Sequence, residues 1–341
     1  MSLEILVVDD SALLRRVECD IINSDNKFKV TDTCKDGLEA LEKLRTKKYD
    51  GVVLDINMPR MDGLELLQQL QKEKIKANIV MASTLTVEGA DEAIKSLELG
   101  AIDFVTKPSN IIEAKGDAFK KALLDVLYAA TKARVHFKKP SLTPAADKTA
   151  ASSVNRLKKP GQNKIIAIAS STGGPKALQS VIPKIPADID APVVLVQHMP
   201  AGFTSSMAAR LNELSKVQVK EAEDGELLKK GVVYIAPGGK HIVVNKKGAS
   251  HVIGYSDMPP IGGLKPCANI MFDSLGQTGF DEVVCVVLTG MGADGTNGIL
   301  SLGKKKSVHV IAQDESSCIV YGMPRAIYEA GVVDEVVALS K

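Results

Sequence analysis

Short apolar runs recur along this chain, and most of them end on a polar residue able to do chemistry. Ile5 to Val8 runs into Asp9 and Asp10, Gly51 to Leu54 into Asp55, Ile79 to Met81 toward Ser83, and Asp103 to Thr106 into Lys107 and Pro108. Between them lie amphipathic stretches. Ser11 caps a helix with Leu13, Leu14, Val17 and Ile21 on one face, and further helices are predicted over 36–47, about 64–72 and near 111–132. Strands alternating with helices build a parallel sheet covered on both faces, and such sheets gather their functional groups at the carboxyl ends of the strands. The expected class is therefore α/β and doubly wound.

The alternation occurs twice, separated by residues 138–164, which hold seven basic residues, one acidic residue and three prolines with no apolar period. That composition predicts a flexible tether, and its basic runs predict solubility, not a nucleic-acid partner. Beyond it, Ile165 to Ala169 leads into SSTGG, with Pro175 placed for the first turn of a helix, and Pro192 to Gln197 ends in His198. A helix is expected around 203–215, short β-branched runs near 217–220, 232–236 and 241–244, and a helix around 268–276. Val283 to Leu288 then feeds TGMGADGTNG, and Val308 to Ala312 is the last strand. The length of 341 residues also favours two domains. We expect a first domain at 1–135, a linker at 136–163 and a second domain at 164–341.

Several function classes fall away on composition. A net charge of +2 gives no global reason to expect nucleic acid. The five cysteines are scattered without a CxxC pair, which argues against a disulfide framework and a zinc site and for reduced, mostly buried thiols. No apolar run reaches the roughly 18 residues of a membrane span and no charged leader precedes an apolar segment, so direct membrane insertion is not expected and a cytoplasmic location is.

Two strand-edge sites follow. In the first half, Asp9, Asp10 and Asp55 converge, and such carboxylates repel one another unless a cation joins them; a hard ion such as Mg²⁺ takes one or two carboxylates together with phosphate oxygens. That is a site for phosphorylating an aspartate, with Ser83 and Lys107 at neighbouring strand ends. In the second half, a serine follows one strand, His198 ends the next, and Asp294 lies in the glycine-rich loop after a third. Nucleophile, base and orienting carboxylate on one edge make a constellation for acyl transfer. On residues alone, Ser170 and Ser171 are both candidates, and His241 after APGGK rivals His198, with His136, His251 and His309 weaker. A binding module cradling a nucleotide phosphate is the non-enzymatic alternative, disfavoured because neither GxGxxG nor GKS/GKT is present.

VVDDS at 7–11, LDINMPRMDG at 54–63, MASTLT at 81–86 and DFVTKP at 103–108 resemble the receiver domain of bacterial response regulators, which has a flavodoxin-like fold. The resemblance implies phosphorylation at Asp55, Mg²⁺ held by Asp9, Asp10, Asp55 and the backbone carbonyl of Asn57, phosphoryl contacts from Ser83 and Lys107, and an aromatic switch position at Phe104. ASSTGG at 169–174, QHMP at 197–200, YIAPGGKH at 234–241, LTGMGADG at 288–295 and AQDESS…GMP at 312–324 resemble the chemotaxis protein-glutamate methylesterase (CheB) family. This second resemblance implies a Rossmann-like three-layer hydrolase domain with Ser171, His198 and Asp294 as triad and the backbone N–H of Met291 in the oxyanion hole. It further implies demethylation of glutamate esters on methyl-accepting chemotaxis receptors, glutamine deamidation by the same route, a chemotaxis histidine kinase as phosphodonor, and no cofactor for the esterase step. A receiver lying over the catalytic edge until phosphorylated is the expected control. Two departures stand out: Ala169 replaces the motif's first glycine, and KPCAN at 265–269 replaces the more usual RPSVD, a change expected to alter substrate preference and not to abolish activity.

Overall fold

A strand that the apolar runs do not announce completes the first sheet. The strands are β1 (Leu3–Val8), β2 (Phe28–Cys34), β3 (Gly51–Asp55), β4 (Ile79–Ser83) and β5 (Asp103–Thr106), all parallel in the order β2-β1-β3-β4-β5. This is the flavodoxin-like order, whose first strand marks the point where the chain changes direction across the sheet. Strand β2 is an edge strand with only Phe28 and Cys34 buried, so it lacks the continuous apolar signature of its neighbours. The computed structural model describes residues 2–108, 110–114, 116–132 and 163–341. The chain divides into two units, Met1–Val135 and His136–Lys341; of the predicted tether, Asn163 and Lys164 are described, Lys164 as the first residue of the second unit's sheet, and the rest, with His136, lies outside the described residues.

The helices of the first unit depart from expectation in three places. Helix Val87–Glu98 was not anticipated, and the helix expected near 111–132 is two, Ile111–Ala114 and Asp117–Lys132. In helix Ala12–Asn23, Ser11 caps Leu14 N as expected, but Leu13 is half exposed while Glu18 takes a place on the buried face beside Val17, Ile21 and Ile22.

In the second unit the strands are β6 (Lys164–Ser170), β7 (Val193–Gln197), β8 (Gln218–Glu221), β9 (Val232–Ile235), β10 (His241–Lys247), β11 (Ser250–Ser256), β12 (Glu282–Val287), β13 (Ser307–Gln313) and β14 (Glu335–Val337). Seven of them form one parallel sheet, β14-β13-β12-β6-β7-β9-β8, and β10 with β11 forms a separate antiparallel hairpin. From β6 the chain builds outward through β7, then returns to β12 on the other side, so the crevice at the β6 carboxyl end is the place where such sheets bind ligands.

Register sets the functional ends level. Ala169 pairs with Val287 of β12 and Val196 of β7, and Ser170 pairs with Gln197. The ladder continues past the strands through Leu288 N–H to Ala169 O (2.9 Å), Ser171 N–H to Thr289 O (3.0 Å) and His198 N–H to Ser170 O (3.1 Å). Beneath this edge, Ala167, Ala169, Val194, Val196, Cys285 and Val287 are buried in one apolar core with Phe272 of helix Ala268–Ser274. Truncating a fully buried phenylalanine costs about 3–5 kcal/mol. Here it would also loosen the loop that carries Asp294, because a Cβ at Gly295 would already lie 3.2 Å from the Phe272 ring. Among the described residues no helix is long and apolar enough to cross a membrane, and the five cysteines are free, with Cys34, Cys267 and Cys285 buried and Cys19 and Cys318 partly so.

Candidate active site

At the end of β6 the chain meets two serines that serve different ends. Ser170 is fully buried and its hydroxyl donates to Gln197 Oε1 at 2.7 Å, whereas Ser171 is partly exposed. Gln197 donates from Nε2 to Ser171 O (2.9 Å) and His198 O (3.0 Å), so one buried amide clamps the ends of β6 and β7 together. Gly173 turns the chain at φ 74°, in the left-handed region, and Pro175 falls in the first turn of helix Gly174–Val181, as its position predicts. Gly174 is small because a Cβ there would run into Gln197 Oε1. Gly290 lies flat on the turn, where a Cβ would be 2.7 Å from Ser171 Cβ, and Gly322 in turn backs onto Gly290 O at 2.6 Å from its own would-be Cβ.

His198 and Asp294 are joined directly, Nε2 to Oδ2 at 2.8 Å, with both side chains buried. Four further donors converge on the carboxylate. Ala268 N–H reaches Oδ2 at 2.6 Å, while Asn269 N–H (3.0 Å), Gly295 N–H (3.0 Å) and the Cys267 thiol (3.1 Å) reach Oδ1. Burial alone would raise the Asp294 pKa, but the His198 ring, then the Ala268 amide and Cys267 thiol, outweigh it and bring it down to about 2. A carboxylate on Nε2 holds the proton there and turns the Nδ1 lone pair to the other side of the ring, the side needed for a base. Among the described residues no hydrogen bond joins Ser171 Oγ to the ring, a looseness common before substrate binds. The Met291 N–H donates to no oxygen among the described residues, so it is free to receive charge.

The rival histidines are engaged elsewhere. His241 is fully buried, accepts Cys267 N–H on Nδ1 (3.1 Å) and faces Pro259 O through Nε2 (3.2 Å), so both nitrogens are used. His251 stacks on Phe280 at 4.1 Å and accepts Gly279 N–H, and His309 pairs with Glu335.

The first unit brings Asp9, Asp10 and Asp55 together, with one ligand atom of each within 4.8 Å of the others. Lys107 Nζ reaches Asp9 Oδ2 at 2.6 Å and Asp55 Oδ1 at 2.7 Å. Burial first, then the neighbouring Asp9 and Asp10, raises the Asp55 pKa to about 6 despite Lys107. Such a crowd of hard oxygen donors with one cation fits a divalent ion such as Mg²⁺. Ser83 is not aimed at the cluster: its hydroxyl donates to Gly89 O at 2.7 Å. The Asn57 side chain points away as well, donating to Glu92 at 3.2 Å, which leaves only its carbonyl as a candidate ligand. Phe104 is buried.

Residues 166–341 match the CheB methylesterase family and residues 5–115 the response regulator receiver domain family. A protein-glutamate methylesterase/protein-glutamine glutaminase of Halalkalibacterium halodurans is 42% identical over 339 residues, covering 99% of this chain and 95% of the relative. One of the same name from Bacillus subtilis is 42% identical over 340 residues, with 98% and 94% covered. This chain belongs to the CheB methylesterase family. The solved CheB methylesterase catalytic domain of Thermotoga maritima is 40% identical, with a TM-score of 0.51, covering 53% of this chain and 95% of that domain.

Within this CheB family chain, sequence reasoning missed three contributors. Gln197 stood in a motif without a role, because its bonds depend on strand register. The KPCAN segment proves to be a cradle for Asp294: three of its residues donate to that carboxylate, and Asn269 Oδ1 also accepts Gly295 N–H (3.1 Å) and Gly298 N–H (2.7 Å). Glu18 is buried near the aspartate cluster with Oε2 unpartnered among the described residues; burial, then the charge of Asp9, pushes its pKa up to about 8. An acidic residue on the buried stripe of a helix was the available signal for it.

Proposed function

We propose that this chain is a phosphorylation-controlled protein-glutamate methylesterase that also deamidates glutamine, acting on methyl-accepting chemotaxis receptors. The observation that carries this reading is the His198–Asp294 pair set level with Ser171 across β7, β6 and the loop after β12. Ser171 Oγ attacks the ester carbonyl carbon while His198 Nδ1 takes its proton. The Met291 N–H faces the developing oxyanion, and Asp294 holds the imidazolium that forms. As the C–O bond breaks, His198 returns the proton and methanol leaves. Water, deprotonated by the same imidazole, then cleaves the acyl-serine and restores the hydroxyl, leaving glutamate. With a glutamine side chain the same steps release ammonia.

The regulatory half is read as a receiver at 1–135, joined by a linker at 136–163 to the catalytic domain at 164–341. Asp55 accepts a phosphoryl group from a chemotaxis histidine kinase; Lys107 contacts it directly, and Ser83 does so once its hydroxyl leaves Gly89 O. Asp9, Asp10, Asp55 and the Asn57 carbonyl would hold Mg²⁺, which when bound supplies positive charge against the phosphoryl oxygens. Phosphorylation raises the esterase rate, and the whole chain works in the cytoplasm.

The test is methanol release from methylated receptor membranes by the full chain, with and without a small phosphodonor. Ser171→Ala abolishes release and labelling by a phosphonofluoridate. Full release by Ser171→Ala would sink the reading.

A further inference from the structure

We propose that Cys267 is a positioning residue for the hydrolytic reaction, its thiol donating to Asp294 and thereby setting how firmly that carboxylate holds the imidazolium of His198. The inference rests on the triad reading above and goes beyond it.

The thiol is in place to do this and little else. Cys267 is 1% exposed, and its Sγ lies 3.1 Å from Asp294 Oδ1. Its backbone N–H is pinned on His241 Nδ1, and His241 is pinned on Pro259 O, so the cysteine is anchored from β10 as well as from its own loop. Burial first, then the Asp294 charge, pushes the thiol up to about 11, so it remains a proton donor across the working range. Burial also opposes protonation of His241, which therefore stays a neutral acceptor toward Cys267.

A thiol is a weak donor beside a hydroxyl. The other donors to Asp294 are backbone amides and the His198 ring, so among the described residues Cys267 is the one side chain besides that ring that donates to it. The groups around the carboxylate that carry or can carry charge are His198 at the end of β7, Cys267 before helix Ala268–Ser274 and His241 on β10, with Lys265 acting on His241 from the adjoining loop. Position 267, serine in the more usual motif, is thus the adjustable donor. With cysteine there, Asp294 keeps more of its charge for the imidazolium than it would beside a hydroxyl.

The direction of each change follows. Removing the donor makes Asp294 more basic, stabilises the imidazolium and moves the acid limb of kcat/KM to higher pH; strengthening the donor moves it lower. In full-length protein acting on methylated receptor membranes, Cys267→Ala shifts that limb up by on the order of half a pH unit and Cys267→Ser shifts it down, with KM changed less than about twofold in both. Limbs that stay in place in both variants, while Ser171→Ala is inactive, overturn the role of Cys267 and leave the triad standing. Release retained in Ser171→Ala overturns the triad and this inference with it. Should Cys267→Ala not fold, the infrared S–H band decides. Assigned by difference against Cys267→Ser, it lies at lower frequency than an unbonded thiol and moves up in Asp294→Asn. A Cys267 band already at the unbonded position overturns the proposal.

Discussion

Asp55 and Asp294 both stand at carboxyl ends in the middle of parallel sheets and both are buried, yet one is pushed up to about 6 and the other down to about 2. The difference lies in what faces them. Asp55 shares a single ammonium, Lys107, with Asp9 and stands near further acids in Asp10 and Glu18. Asp294 faces four N–H or S–H donors besides an imidazole, and among the described residues no second carboxylate contacts it. The first site is short of positive charge and must import it with its ligand, whereas the second is complete and passes its effect to a neighbouring base. The same sheet edge thus makes a receptor for an ion and phosphoryl group in one unit and a self-sufficient reaction centre in the other.

The sharpest break comes from making each carboxylate an amide. Asp294→Asn lowers methanol release by on the order of 10⁴, because an amide cannot hold the imidazolium or keep its tautomer. It also destabilises the catalytic unit, since an NH₂ now faces one of the surrounding donors. Asp55→Asn prevents phosphoryl uptake but stabilises the receiver near neutral pH by up to about 3 kcal/mol, because the ionised carboxylate it removes is held at a pKa well above its unfolded value. Segment-resolved hydrogen exchange on the whole chain reads both, and a receiver weakened by Asp55→Asn would mean that Lys107 outweighs burial and the neighbouring acids.

A pH series sharpens the same contrast with the unaltered chain. The folded receiver binds its proton on Asp55 more tightly than the unfolded chain, so without added Mg²⁺ its stability rises as pH falls from about 6 to about 4. For Asp294 the folded pKa lies below the unfolded value of 3.8, so its contribution is present above about pH 4 and is lost toward about pH 2, at a cost of about 2 kcal/mol. Parallel loss in both units over one pH interval would erase the distinction. The smallest effect is expected from Ser170→Ala, which removes one buried hydrogen bond to Gln197 worth about 1 kcal/mol and leaves most activity.

The parts legible in the sequence are those where burial on both faces writes a continuous apolar run. That is why β1, β3 and β7 were legible, and with the apolar runs of β6 and β12 they put Asp9, Asp55, the Ser170–Ser171 pair, His198 and the Asp294 loop at strand ends, whereas the selection of Ser171 and His198 came from the family resemblance. Strand β2, the second arm of the hairpin, β11, and the edge strand β14, which follows the strand expected to be last, escaped because edge strands and a ribbon need little apolar pattern. Helices Thr296–Gly303 and Met323–Glu329 escaped because they begin in glycine-rich loops without side-chain caps. The choice between Ser170 and Ser171 is one of side-chain direction, and the choice between His198 and His241 depends on partners from distant segments. Local period contains neither. Cys267 meets Asp294 across 27 positions, so its contact was beyond any local reading.

The turn at Ser171 is closed by positions that have no side chain, with Gly174 against Gln197, Gly290 against Ser171 and Gly322 against Gly290. In a library of every single replacement, a methyl added at 174 runs into the Gln197 amide that clamps the turn, and one added at 290 runs into Met323 Sδ and the nucleophile's own Cβ. The map of tolerated change around this centre is therefore inverted from that of an ordinary cavity. The smallest residues, Gly174, Gly290 and Gly322, are the ones at which added bulk disturbs the nucleophile's turn most.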